Sequence, residues 1–152
     1  MSTSARPCSI AAALQIVGER WALLAIREIF LGNRRFDEIA RNTGASRDIL
    51  TARLRSLETA GVLTRRPYQD RPARYEYHLT EAGRDLAPVL TALRTWGDTW
   101  VSDTPPVTAT HTPCGHPLTS VTLCPHCHTP TTPETTHLTV NTPDWTLKGP
   151  TP

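Results

Sequence analysis

A mostly helical α+β fold, a helix-turn-helix closed by a β-hairpin, is predicted by three features of the stretch from Phe36 to Tyr77. The first is a helical apolar period on both sides of Gly44: Phe36, Ile39 and Ala40 before it, then Leu50, Leu54 and Leu57 after it. The second is the turn chemistry between them, where Gly44 is free to take positive φ and Ser46 is placed as a helix N-cap. The third is a change from helical to alternating period after Gly61, through Val62, Leu63, Arg65 and Arg66 to Tyr75, Tyr77 and Leu79. Asp70, Arg71, Pro72 and Arg74 mark the turn between the two strands. A helix-turn-helix followed at once by a basic hairpin is a winged helix, an arrangement suited to gripping DNA.

The remaining elements follow in order. Pro7 suits the first turn of a helix from about Cys8 to Val17, with Ile10, Leu14 and Val17 as its apolar stripe and Gly18 as its end. A second helix, roughly Glu19 to Leu31, is apolar on almost every side, as expected of a helix in the middle of a domain. After the hairpin, Thr80 caps a long helix reaching about Trp100, kinked by Pro88. Leu86, Val89, Leu90, Leu93, Trp96 and Trp100 line one side of it. Part of that stripe closes the monomer core, and the tryptophans at its far end predict packing against a second copy. At Thr104 the composition changes: the last 49 residues hold 15 Thr and 10 Pro, with no amphipathic period and no internal repeats. The expected organisation is therefore a DNA-binding and dimerisation domain over 1–103 and a Thr/Pro-rich tail over 104–152. Alone, such a tail cannot bury enough surface to offset its ordering entropy.

Charge is unevenly spread. All 15 Arg lie between Arg6 and Arg94, and ten of them fall between Asn33 and Arg74 against five acids, a net +5 that suits a polyanion. The N-terminus lacks the long apolar run of a signal peptide, and no stretch has the length of a membrane span. A cytoplasmic location without membrane contact is expected, where the four Cys suit metal ligation or redox chemistry better than structural disulfides.

Five segments carry a family resemblance: Cys8 before an apolar helix, GERWALLAIREIFLG (18–32), RRFDEIAR (34–41), SRDILTARLRSLETAGVLTRR (46–66) and YHLTEAGRDLAPVL (77–90). In this order and without gaps they resemble the HxlR-type transcriptional regulators, bacterial winged-helix proteins related to the MarR group. The resemblance implies no enzymatic activity. It implies a homodimer, held by the first and last helices, that binds a pseudo-palindromic operator. In such proteins a cysteine at the place of Cys8 often senses oxidants or electrophiles.

Within this frame the second helix of the motif is the one to enter the major groove, its N-terminal residues nearest the bases. Arg47 can donate two parallel bonds to guanine. Thr51 can touch a thymine methyl or a phosphate, Arg55 a phosphate, and Ser46 either caps the helix or meets a phosphate there. Arg34 and Arg35 are placed to grip the backbone, and Arg71 and Arg74 to reach an adjacent minor groove. Arg53 and Arg65 can equally pair with Glu58 or Glu76. Cys8, with Arg6 nearby and a helix N-terminus beneath it, is either an activated thiol or a small buried apolar residue.

The tail holds His111-Thr-Pro-Cys114-Gly and Cys124-Pro-His-Cys127-His, with nine residues (115–123) between the two pairs. Two ligand pairs of this spacing predict a structural zinc ribbon at 111–128, its site formed by Cys114, Cys124, Cys127 and His111, with His116, His126 and His128 as rivals for the fourth place. A Cys-Pro-His-Cys run also suits thiol–disulfide exchange, but the residues after it cannot continue as a helix. Incidental Cys and His in a disordered tail, a zinc-dependent metalloregulator and a protein-interaction module remain the other readings.

Overall fold

Ile26, Ile39, Leu50, Leu54 and Leu57 are almost wholly removed from solvent, and they mark where three helices meet. The structure, a computed structural model, describes residues 6–150. Helices α1 (Ser9–Val17) and α2 (Arg20–Phe30) meet at a bend of 75°. The helix-turn-helix is α3 (Phe36–Thr43) and α4 (Arg47–Thr59), and the wing is β1 (Leu63–Asp70) with β2 (Ala73–Leu79). Next come α5 (Glu81–Arg84) and α6 (Ala87–Trp100), then a 3-10 turn at Pro133–Thr135 and a small pair, β3 (Trp145–Thr146) with β4 (Gly149–Pro150). Among the described residues no single helix is long and apolar enough to cross a membrane.

Helix α2 is more one-sided than expected: it packs against α1, α3, α4, α6 and β2 and buries Ala22, Ala25, Ile26 and Ile29, while Arg20 and Phe30 stay exposed. Burying one Leu or Ile side chain of this core stabilises by roughly 1.5–3 kcal/mol. Gly44 ends α3 at φ +71, the left-handed conformation that lets the chain turn sharply into α4. The Ser46 hydroxyl then accepts the Ile49 N–H at 3.3 Å, as the N-cap reading expects.

The wing is antiparallel, with Leu63 opposite Leu79 and Asp70 opposite Ala73. Its register shifts between Pro67 and Gln69, where Pro67 has no N–H to give to a ladder. A third segment joins it: the Tyr77 N–H donates to the Arg34 carbonyl at 2.9 Å, and Arg35 bridges Glu76. The chain entering α3 is thereby tied to the wing.

Two expectations are corrected. The helix predicted from Thr80 to Trp100 is two helices, α5 and α6, broken at Asp85 and Leu86. Thr80 does cap α5, accepting the Gly83 N–H at 3.2 Å. Pro88 cannot donate to the Arg84 carbonyl and would crowd it, so the helix stops and restarts with Pro88 in a first turn, where its missing N–H is no loss. The expected absence of internal repeats also fails, because the tail forms one turn twice, at Thr110–Pro117 and at Leu123–Pro130. Spacing alone hid the repeat, since only some of its positions keep their residue type.

Candidate nucleic-acid interface

The first half of α4 stands clear of the core. Leu50, Leu54 and Leu57 face inward, while Ser46, Arg47 and Arg55 are exposed and Thr51 is half-buried. Ile49 is also exposed, and sequence reading passed over it; its place off the leucine stripe was the available signal.

The arginines divide into two groups. Arg47 donates to Asp37 at 2.7 Å, Arg35 to Glu76 at 3.4 Å, and Arg65 to Glu58 at 3.1 Å. Each also lies over an aromatic ring: Phe36, Tyr68 and Tyr75 respectively. Arg35 is therefore built into the base of the wing, which competes with the phosphate role its sequence position suggests. Arg34, Arg41, Arg55, Arg66, Arg71 and Arg74 are exposed and make no ion pair among the described residues. Arg71 and Arg74 sit at the wing tip, as the hairpin reading places them. Arg53 pairs with neither Glu58 nor Glu76; it is half-buried, and its Nε has no hydrogen-bond partner among the described residues.

His78, on β2, reports the field at the wing base. Burial lowers its pKa below the usual 6.5, the charges of Arg66 and Arg34 lower it further, and Glu76 opposes them. Arg66 was not among the contact residues foreseen. Strand alternation was its signal: Arg65 turns to Glu58 on α4, so its neighbour turns the other way.

Beneath this surface lies a second site that sequence reading missed. Glu28 of α2 is 3% exposed. Its carboxylate accepts from Arg27 at 2.7 and 3.0 Å, Asn33 at 2.7 Å and Asn42 at 2.9 Å. Burial pushes its pKa up, but the bonds from Asn42, Arg27 and Asn33 together outweigh burial and hold it below the usual value. The network ties α2 to both ends of α3. One acid in an apolar helix was the only hint.

Cys8 is exposed at the N-cap of α1, where its side chain makes no capping bond. Arg6, expected beside it, instead donates to the Leu147 carbonyl at 2.8 Å and lies 5.9 Å from the Trp145 ring centre. In the tail, His111 Nδ1 lies 3.2 Å from Cys114 Sγ. The Thr129 hydroxyl and backbone, with Cys124, hold the Cys127 thiol below its usual pKa. Among the described residues no three His, Cys, Asp or Glu side chains are gathered closely enough for one metal ion.

An exposed second helix behind a Gly44 turn, flanked by a two-stranded arginine-bearing wing, defines a winged helix-turn-helix protein, and by its family the chain is a transcriptional regulator and not an enzyme. The family pattern for HxlR-like helix-turn-helix proteins matches residues 16–105, and the chain belongs to that family. An uncharacterized HTH-type transcriptional regulator of Mycobacterium tuberculosis is 46% identical over 121 residues, covering 78% of this chain and 77% of the relative. The crystal structure of PA1607, a proposed transcription factor, is similar at TM-score 0.79 and 31% identity over 91% of this chain and 99% of that one. The reduced form of the transcriptional regulator YodB of B. subtilis is similar at TM-score 0.53 and 30% identity, over 63% of this chain and 96% of that one. The match to PA1607 reaches well past the winged helix into the tail.

Proposed function

We propose that the chain represses or activates transcription by binding an operator as a homodimer, working in the cytoplasm where its DNA is. The observation that carries this reading is the coincidence, on one unit, of six exposed arginines without ion pairs among the described residues and an exposed α4 N-terminal half. In this reading Arg47 and Thr51 meet base edges, with Ile49 beside them for a thymine methyl. Arg34, Arg35, Arg55 and the Ser46 end of α4 hold phosphates, and Arg71 and Arg74 enter the flanking minor groove. The dimer is carried by α1 and α6, which leave Ile10, Leu14, Leu93, Trp96 and Trp100 uncovered in the single chain. Cys8, exposed at the start of α1, is the candidate for redox or electrophile response, because chemistry there reaches the helix that carries Ile10 and Leu14.

Footprinting on the DNA flanking the chain's own gene tests this. The expected result is two protected half-sites about one helical turn apart. Arg34→Ala should weaken specific and non-specific DNA alike and flatten the salt dependence. Protection that is neither sequence-selective nor salt-sensitive would overturn the reading.

A further inference from the structure

We propose that the tail holds one zinc ion per chain, through His111, Cys114, Cys124 and Cys127, with each pair supplied by one of two equivalent turns. The equivalence is structural, position by position, at an offset of 13 residues. In the first turn the His111 N–H donates to the His116 carbonyl at 2.9 Å; in the second the Cys124 N–H donates to the Thr129 carbonyl at 2.9 Å. The Gly115 N–H returns to the His111 carbonyl at 2.8 Å, and the His128 N–H to the Cys124 carbonyl at 2.8 Å. Gly115 and His128 both take positive φ, at 71 and 57. The flanks match too: Thr110 bridges Pro117, Leu123 bridges Pro130, and both turns close on a further backbone bond, Leu118 to Ala109 and Thr131 to Thr122.

This correspondence selects the ligands. His111 stands where Cys124 stands, and Cys114 where Cys127 stands, so the repeat singles out two positions per turn. His128 occupies the position of Gly115, a place that needs a backbone conformation and no donor atom. His116 Nδ1 lies 2.8 Å from the Cys114 carbonyl, so its ring is already engaged with its own turn. His126 matches Pro113, which has no ligand atom. Three thiolates and one imidazole are a set that zinc takes in tetrahedral sites.

The same geometry sets aside thiol–disulfide exchange at Cys124–Cys127. That chemistry uses a cysteine at a helix N-terminus, and here the chain turns back at His128 instead. Each turn brings its own pair together, and closing the two pairs on one ion is the step that metal supplies. The linker between the turns is tied to α6. Arg94 of α6 donates to the Leu118 carbonyl at 2.9 Å, and the Ser120 N–H donates to Thr95 Oγ1 at 3.2 Å. Few apolar side chains of the tail are buried, so zinc binding would provide much of its folding energy.

The test is metal analysis of the full chain, purified in reducing buffer and dialysed exhaustively. One zinc per chain is expected, and cobalt(II) in its place should show the thiolate charge-transfer and tetrahedral d–d bands of a three-sulfur site. Cys114→Ser and Cys124→Ser should each release the metal, and His111→Ala should weaken binding at least tenfold. His116→Ala, His126→Ala and His128→Gly should keep the full complement. Thermal unfolding followed alongside separates metal loss from collapse of the winged helix. Wild-type protein without zinc overturns the proposal. So does one zinc per two chains, or retention of zinc by Cys114→Ser with loss in His128→Gly.

Discussion

Arg47, the first residue of α4, is tied to Asp37 on α3 at 2.7 Å, with its guanidinium 4.8 Å from the centre of the Phe36 ring. Both charged side chains are mostly exposed, at 73% and 76%, so the pair contributes roughly 0.2–1 kcal/mol and opens readily. The side chain that the proposed reading assigns to a base edge is therefore parked on its own motif. Arg47→Ala should weaken operator binding by roughly 1–3 kcal/mol and relax preference at one base position. Asp37→Asn should instead tighten binding slightly, because it removes both the competing partner and a carboxylate near the phosphates. Titration of operator and scrambled DNA checks both; an Arg47→Ala protein with unchanged affinity and preference places the reading helix elsewhere.

His78 supplies an independent reporter. Its imidazole is held below 6.5 by burial and by Arg66 and Arg34. Phosphates docked on those arginines would offset their charge, so the bound state should take up a proton more readily than the free one. DNA affinity should then rise as pH falls through the range near 6.5, and His78→Gln should abolish that component. NMR titration of the His78 ring with and without DNA measures it directly. An unmoved titration in saturating DNA would show that the wing base does not meet phosphate.

Glu28 should set the acid limit of the fold. Its folded pKa is depressed below 4.5, so its contribution is present above 4.5 and is lost as pH falls through the folded value. Glu28→Ala strands the amides of Asn33 and Asn42 and the charge of Arg27, and should destabilise by about 3 kcal/mol at pH 7. Urea unfolding at pH 7 and pH 4 checks it: the wild type should lose stability between them, and the variant should lose less.

The uncovered ends of α1 and α6 predict where two chains meet. Trp96 and Trp100 are 60% and 74% exposed in the single chain, so replacing them does not disturb the monomer core. Trp96→Asp with Trp100→Asp should leave a folded monomer, because a carboxylate buried unpaired in the interface is costly. Sedimentation decides the matter, and a double variant that stays dimeric moves the interface to other surfaces.

Local order was legible in the sequence because its signals repeat within one or two turns. Leu50, Leu54 and Leu57 recur at helical spacing, and all three are core residues. Gly44, Ser46 and Thr80 act on groups within a few residues, and each does what its chemistry foretold. Pro88 predicts a kink, and because it lacks an N–H and crowds the Arg84 carbonyl the chain instead breaks fully at Asp85 and Leu86. A side chain on Gly83 would collide with the Val62 carbonyl, so α5 sits close against the chain that enters β1.

Pairings across the chain were decided only by the tertiary structure. Arg35 and Glu76 lie 41 positions apart, and Glu28 and Asn42 lie 14 apart; nothing in local period says that either pair meets. Charge alone could not tell which arginines stay free, because ion pairing depends on which acids the fold brings within reach. The tail makes the same point from the other side. The Cys and His pairs of the proposed zinc site, His111 with Cys114 and Cys124 with Cys127, are visible from spacing, whereas the equivalence of their two turns is a property of hydrogen bonds and φ angles and leaves only a partial trace in residue type.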